Sequence, residues 1–136
     1  MSKKTRIKEK ILVEKVAEYF KSKGYMVHEE VRIPIAPPRY IDLLALNGKA
    51  LAIEVKVSDW KTALKQANLY TLIADKSYVA IWEKKRKVVL ENIELFKQFG
   101  IGVILVGDSC VDVILDAQER GILDHNLREQ TLIMLR

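Results

Sequence analysis

Three charged residues stand in two short apolar segments of the chain, and their chemistry is the first clue to function. Asp42 lies in the otherwise uncharged stretch 41–46, while Glu54 and Lys56 lie in the apolar stretch 51–57. Side chains alternate between the two faces of a β-strand, so Glu54 and Lys56 are expected on one face. Burying an ionised carboxylate without a partner costs several kcal/mol. The pattern therefore predicts that two carboxylates and an amine converge around a partner or a metal ion.

The turn between these segments decides whether the charges meet. Asn47-Gly48 is a strong hairpin signal between two predicted strands, residues 40–46 and 50–57. Opposed residues of an antiparallel pair share a face, and their numbers have a constant sum. A plain two-residue loop makes that sum odd and separates the two carboxylates, whereas a three-residue loop or a bulge brings them together. We predict that the turn is not a plain two-residue loop, or that the strand near Asp42 is bulged.

These residues resemble the PD-(D/E)xK nuclease superfamily, whose signature is an acidic residue, a hairpin and E-x-K on the next strand. The matching residues are Asp42, Glu54, Val55 and Lys56. On the predicted helix that follows, Gln66 and Tyr70 are similar to the Q-x-x-x-Y element of the RecB-type branch. The residue before Asp42 is Ile41 rather than proline, which weakens the motif without removing a ligand. The resemblance covers roughly the first 80 residues, from the first helix to Trp82.

The resemblance implies a restriction-endonuclease-like fold, a three-layer α/β sandwich with a mixed central sheet, and a deoxyribonuclease that uses Mg²⁺ or Mn²⁺. Magnesium neutralises phosphoryl oxygens when one or two carboxylates and several waters hold it. Asp42 and Glu54 would be these ligands, joined by the backbone carbonyl of Val55. Lys56 would orient and help deprotonate the attacking water or stabilise developing negative charge. The structural alternative for Lys56 is a simple ion pair with Glu54.

Two helices supply the remaining candidates for the site. Many relatives of this type place an additional acidic ligand on the first helix, and Glu14 is chosen over Glu9 and Glu18 because it lies mid-helix, at a suitable distance before Gly24. A solvated role for this glutamate is the alternative. On the second helix Gln66, one turn before the tyrosine of the motif, would act in the catalytic site by bracing it or touching the substrate.

The charge balance favours a polyanionic partner. Lysine and arginine total 23 against 18 acidic residues, which gives a net charge of +5. The candidate nucleic-acid contacts are Arg39, Tyr70, Lys84, Lys85 and Arg86, together with the lysine-rich first ten residues. Charge runs are more often solvated surface, and a tyrosine on a helix would equally serve in the core.

Hydrophobic periodicity predicts an α/β order. Helices are expected over residues 5–23, 60–74, 88–99 and from Asp124 to 135, and strands over 25–34, 40–46, 50–57, 77–82, 101–106 and 111–115. On the first strand, the alternating residues expected on one face are Tyr25, Val27, Val31 and Ile33. Strands that alternate with helices in this order form a mixed sheet covered on both faces.

Length and composition bound the remaining possibilities. The 136 residues predict one domain, 1–136, and the apolar runs are too short for a membrane span. The single cysteine, Cys110, fits a reducing, cytoplasmic environment. One small domain cannot wrap a long duplex, so a homodimer or a larger repair or recombination partner is expected alongside DNA. The size and Glu14 favour a junction resolvase, whereas Q-x-x-x-Y favours a RecB-like enzyme. The alternatives are a non-catalytic nucleic-acid-binding module and a docking subunit.

Overall fold

The computed structural model describes residues 8–135, which form helices and strands in the predicted alternating order. The elements are α1 (Glu9–Ser22), β1 (Met26–Ile33), β2 (Arg39–Leu46), β3 (Ala50–Lys56), α2 (Trp60–Tyr70), β4 (Lys76–Trp82), α3 (Arg86–Glu91), α4 (Ile93–Phe99), β5 (Gly102–Val106), β6 (Val111–Leu115) and α5 (His125–Ile133). A short 3-10 turn, Glu83–Lys85, joins β4 to α3. The start of the predicted first helix and the basic residues among 1–7 lie outside the described residues.

The strands in this part of the chain pair in sequence order to form one six-stranded mixed sheet. The strands β1, β2 and β3 form an antiparallel meander, β4 and β5 continue parallel to β3, and β6 returns antiparallel. Parallel neighbours require a crossover, which α2 supplies between β3 and β4. The carboxyl ends of β3, β4 and β5 and the amino end of β2 therefore share one edge of the sheet, which we name the carboxyl edge. The opposite edge is the amino edge.

Helices cover both faces of the sheet, so the molecule has three layers. On one face α1 buries Leu12, Val16 and Phe20 against the apolar side chains of the central strands. On the other face α2 and α4 pack over β4 and β5, and α5 closes the end of the sheet through Leu127. This arrangement confirms an α/β fold with a mixed central sheet.

The strand that precedes the hairpin differs from its expected alternation. Val27 packs on the α1 face, but Val31 and Ile33 belong to the cluster on the α2 face. The prediction that these residues share one face was therefore wrong. Glu30 has a left-handed φ of 51°, and neither Glu30 nor Asp42 takes part in the pairing between β1 and β2. One residue is left unpaired on each strand, Glu30 on β1 and Asp42 on β2, so the register is the same before and after this point. The side chains of both strands, however, change from one face of the sheet to the other there.

The predicted helix over 88–99 is also divided. It forms two helices, α3 and α4, that meet at Asn92. The Asn92 side-chain amide donates a hydrogen bond of 2.8 Å to the carbonyl oxygen of Val88, and its φ of −117° leaves the helical region. Asparagine side chains compete with the helix for backbone groups in this way. The end of α2 at Tyr70 is likewise earlier than the predicted residue 74.

None of the helices between residues 8 and 135 has both the length and the apolar composition needed to cross a membrane.

Candidate active site

The β2–β3 hairpin has an even register. Leu46 pairs with Ala50 and Leu43 pairs with Ile53, so paired residue numbers sum to 96 and three residues form the turn. Gly48 in this turn has a φ of 74°, which only glycine adopts at little cost. In two regular strands this even sum would set Asp42 opposite Glu54, but the ladder ends at the Leu43–Ile53 pair, before Asp42 is reached. The prediction that the turn is not a plain two-residue loop is confirmed.

The Asp42 side chain replaces a backbone carbonyl as the acceptor for a β3 N–H at the point where the pairing of β2 with β3 ends. The ladder between the two strands ends at the Leu43–Ile53 pair. Beyond it, Asp42 Oδ2 accepts a hydrogen bond of 2.8 Å from the backbone N–H of Val55. Burial raises the pKa of Asp42, while the Val55 N–H and the charge of Lys56 lower it in part. The half-buried carboxylate is thus held at the open end of the hairpin.

Glu54 is a nearly fully buried carboxylate on the α2 face of β3. Only 2% of the residue is exposed. Its Oε1 lies 2.5 Å from the Tyr70 hydroxyl, and its Oε2 lies 3.6 Å from Lys56 Nζ. Burial raises the pKa of Glu54 to about 7, with the Tyr70 hydrogen bond opposing and the negative charge of Asp42 adding to the shift. The two carboxylates therefore repel each other, and one lysine offsets only part of this cost.

Tyr70 belongs to the core beneath the site, so its prediction as a nucleic-acid contact was wrong. The residue is 1% exposed, and its hydroxyl lies 2.5 Å from Glu54 Oε1 and 3.0 Å from the Tyr40 carbonyl oxygen. The single hydroxyl proton is shared between these two acceptors. Burial and the adjacent Glu54 raise the pKa of Tyr70. The tyrosine positions the glutamate and is shielded from any ligand at the surface.

The first helix brings Glu9, rather than the predicted Glu14, next to Asp42. A cavity of about 420 Å³ lies between α1 and the irregular part of β1 and β2. Its lining residues are Glu9, Lys10, Val13, Glu29, Glu30 and Asp42. Burial raises the pKa of Glu9, Lys56 lowers it and Asp42 raises it, so Glu9 lies within electrostatic reach of both. Glu9 and Glu14 are both exposed, but Glu14 lines a separate groove beside the loop that follows β5.

The helical periodicity of α1 distinguishes Glu9 from Glu14, although the spacing from Gly24 does not. Leu12 and Val16 are two buried residues of α1, and Glu9 precedes them by three and seven positions. These are the spacings of one helical face, so Glu9 continues the buried stripe by one turn toward the sheet. Glu14 lies five residues from Glu9, which turns it well away from that face.

The predicted basic contacts gather at the carboxyl edge. Arg39 begins β2 and is exposed. The 3-10 turn after β4 carries exposed Lys84 and half-buried Lys85, and exposed Arg86 begins α3. Lys56, which ends β3, pairs with Ile81 of β4 and so lies at the same edge. Within residues 8–135, none of the four predicted contacts has a carboxylate oxygen within 4.0 Å. Their positive charge is therefore free to face a polyanion.

Gln66 is half-buried on α2, one turn from Tyr70 and on the same helical face. It makes no hydrogen bond with Asp42, Glu54 or Lys56 in the described part of the chain. The structure thus brings Gln66 to the correct side of the sheet without engaging it in the charged cluster.

The donor atoms suit a hard divalent cation that keeps several waters. In the described range, no three His, Cys, Asp or Glu side chains converge as a metal-binding group. The chain instead offers the two neighbouring carboxylates of Asp42 and Glu54 and the Val55 carbonyl, all of them oxygen donors. Magnesium is commonly held by one or two carboxylates plus waters and substrate phosphates, so two side chains are sufficient for it. A cation there would also relieve the repulsion between Asp42 and Glu54.

Comparison with known proteins supports the fold. No family model matches the chain, and no curated protein matches it either. One similar solved structure is the SPO1766 protein of unknown function from Silicibacter pomeroyi, with a TM-score of 0.71 and 17% sequence identity. The match covers 95% of this chain and 84% of that chain. At this level of identity the likeness concerns the α/β fold alone.

Proposed function

We propose that this chain is a metal-dependent deoxyribonuclease of the PD-(D/E)xK type, with a restriction-endonuclease-like fold, which hydrolyses DNA phosphodiester bonds in recombination, repair or DNA processing. The observation that carries the proposal is the cluster of charged side chains at the open end of the hairpin. Asp42 accepts a hydrogen bond of 2.8 Å from the Val55 N–H, the carboxylates of Asp42 and Glu54 affect each other's pKa, and Lys56 Nζ lies 3.6 Å from Glu54. A cavity of about 420 Å³ lies beside Asp42. An arrangement built only for stability would place apolar side chains at these buried positions.

Asp42, Glu54 and the backbone carbonyl of Val55 would hold Mg²⁺ or Mn²⁺. The bound cation would supply charge neutralisation on the scissile phosphate and lower the pKa of a coordinated water. Glu9 replaces Glu14 in this proposal as the additional acidic residue, because Glu9 borders the same cavity as Asp42.

The remaining residues of the site act on position, proton transfer and charge. Lys56, with 26% of its side chain exposed, reaches from the buried Glu54 toward solvent, where its ammonium group would orient the attacking water or stabilise negative charge on the phosphate. Tyr70 fixes the rotamer of Glu54 through the 2.5 Å contact. A carboxylate that is held in place before the substrate binds costs less to organise during the reaction.

The substrate would lie along the carboxyl edge. The cationic residues that lie at the same edge as Lys56, and would contact phosphates there, are Arg39, Lys84, Lys85 and Arg86. A duplex extends well beyond one domain of this size, so a second copy of the chain or a larger partner belongs to the proposal.

The experiment that tests the proposal is cleavage of labelled linear, flapped and four-way DNA, with Mg²⁺ and with EDTA. We expect wild type to cut at least one substrate only with the cation, and Glu54→Gln and Lys56→Ala to lose activity. Glu18→Gln, an exposed substitution elsewhere on α1, is the matched control and should cut normally. Absence of cleavage of every substrate, or full activity in Lys56→Ala, would contradict the proposal.

One observation favours a second candidate, a nucleic-acid-binding module that does not cleave. Both oxygens of Glu54 already face protein groups, Tyr70 and Lys56. A buried network of this kind can be purely structural. The second candidate predicts salt-dependent DNA binding with no calorimetric signal for Mg²⁺, whereas the nuclease predicts cation binding that Asp42→Asn abolishes.

A further inference from the structure

A second surface feature lies between α2 and α4, away from the charged cluster. It is an open apolar groove of about 310 Å³, and its lining residues are Trp60, Lys61, Leu64, Lys65, Asn68, Leu95 and Phe99. The residues from α2 recur at helical spacing, so the groove runs along that helix. Leu95 and Phe99 are each 37% exposed although they face the groove. Leu90, 45% exposed, adds apolar surface on the neighbouring α3.

The rim of this groove is positively charged. Lys61 and Lys65 lie one turn apart on α2, both exposed, and within residues 8–135 neither has a carboxylate oxygen within 4.0 Å. The Lys61 ammonium lies 5.7 Å from the centre of the Trp60 ring. On the α4 side, Glu94 is already paired with Lys97 at 3.2 Å. The uncompensated charge beside the groove is therefore cationic.

We propose that this groove, Trp60 to Asn68 of α2 with Leu95 and Phe99 of α4, binds an acidic amphipathic helical segment of a partner protein. Apolar side chains at i, i+3 or i+4 and i+7 of such a segment fill a groove between two helices. Acidic side chains flanking that apolar stripe pair with the two lysines of the rim. The proposal does not depend on nuclease activity, since it uses none of the residues of the charged cluster.

The walls of the groove favour a protein segment over single-stranded nucleic acid. Nucleic acid binds through aromatic faces on which bases stack. Here Trp60 packs against Phe96 at a ring-centre distance of 5.9 Å, Leu64 is buried at the floor of the groove, and the apolar lining residues that are exposed are Leu95 and Phe99. The one exposed aromatic ring of this lining stands beside leucines and does not provide a series of faces on which successive bases stack. Competition by an oligonucleotide distinguishes the two kinds of ligand.

The test is selection from a displayed random 12-residue peptide library on the full chain, after which the selected peptides are titrated against wild type and against Lys61→Glu/Lys65→Glu. Lys21→Glu/Lys23→Glu, which makes the same change in charge at exposed positions elsewhere, is the matched control. We expect the selected peptides to be acidic with helical apolar spacing. They should bind the groove double variant about tenfold more weakly and the control normally. Fluorescence of Trp60, measured in a Trp82→Phe background, should report the binding.

Several outcomes would overturn this proposal. One is a set of selected peptides without acidic enrichment, or peptides that bind both charge variants equally. Another is displacement of the peptides by an oligothymidylate of similar length, which would assign the groove to nucleic acid. Self-association of wild type that is lost in Leu95→Asp, seen by sedimentation, would assign it to a second copy of the chain. Thermal unfolding of each variant verifies that the fold survives.

Discussion

Asp42 and Asp75 perform the same backbone task at opposite ends of β3, yet their surroundings differ. Asp42 accepts a hydrogen bond of 2.8 Å from the Val55 N–H at the carboxyl edge, and Asp75 accepts one of 2.7 Å from the Ala50 N–H at the amino edge. Asp75 also has the Arg128 guanidinium 3.2 Å away. Asp42 instead faces a second carboxylate.

The same contrast extends to the other acids of the two edges. At the amino edge, Lys76 and Tyr78 donate to Asp116, and the Tyr78 hydrogen bond, followed by the lysine, lowers the pKa of this aspartate. At the carboxyl edge, burial raises the pKa of both Asp42 and Glu54. The amino-edge carboxylates, Asp75 and Asp116, have cationic or hydroxyl donors beside them. At the candidate site, the burial and mutual repulsion of Asp42 and Glu54 remain unfavourable, and a bound cation would offset them.

The largest expected effect is on cleavage, and it separates the two aspartates. Asp42→Asn should reduce Mg²⁺-dependent cleavage by at least about 100-fold, because it removes a charged ligand, while the unfolding free energy without metal stays equal or rises. Asp75→Asn should cleave normally. Single-turnover assays and urea denaturation of both variants measure the pair. Equal cleavage by the two variants would remove the functional distinction between the edges.

The stability of the metal-free protein should depend on pH through Glu54. Its pKa is raised in the folded state, from 4.5 to about 7, so the folded chain binds more protons than the unfolded chain between these values. Its contribution to stability is therefore complete below pH 4.5 and is lost as the pH rises through about 7, with about 1.4 kcal/mol for each pKa unit. Urea denaturation in EDTA measures this. Glu54→Gln should flatten the dependence in that window, and an identical profile for the variant would contradict the assignment.

At the amino edge the expected effect is on stability. Asp75→Asn keeps an acceptor for the Ala50 N–H but loses the ion pair with Arg128, so the free energy of unfolding should fall by about 1 kcal/mol. Asp42→Asn relieves a repulsion and should show no such loss. Urea midpoints at equal slope provide the comparison. A larger loss for Asp42→Asn than for Asp75→Asn would reverse the roles we assign.

Tyr70→Phe tests how far the site depends on the core beneath it. Removing the hydroxyl frees Glu54 Oε1, and we expect about tenfold weaker Mg²⁺ binding in calorimetry, as for other groups that orient a metal ligand. Tyr78→Phe removes the corresponding hydroxyl beside Asp116 at the amino edge and should leave cation binding unchanged. A loss of binding in both variants would indicate a general loss of structure.

The smallest expected effect compares two glutamates of α1. Glu9→Gln should weaken cation binding by a factor of about 3, because one nearby negative charge is lost. Glu14→Gln should have no effect, since Glu14 lines a different groove. Isothermal titration with Mn²⁺ measures both. A stronger effect for Glu14→Gln than for Glu9→Gln would contradict the assignment of Glu9 to the cation site.

The hairpin shows how much of the site is readable in the chain. In two regular strands, Asp42 and Glu54 share a face only when the numbers of paired residues have an even sum. The three-residue turn gives such a sum. The helices and strands were placed within a few residues, apart from the break at Asn92. An irregularity near Asp42 was one of the predicted alternatives, but the matching irregularity at Glu30 of β1 was not predicted. The alternation of residues along one strand carries no information about its neighbour.

The sequence alone determined the helices and strands, their order, and the three charged residues in apolar strands, Asp42, Glu54 and Lys56. Hydrophobic periodicity and an isolated charge in an apolar segment are both visible within a few neighbouring residues. Only the tertiary structure decided that Glu9 rather than Glu14 borders Asp42, and that Tyr70 supports Glu54 from within the core. These choices depend on how α1 and α2 pack on the sheet. Such packing is set by contacts between residues far apart in the chain, which spacing along the sequence does not encode.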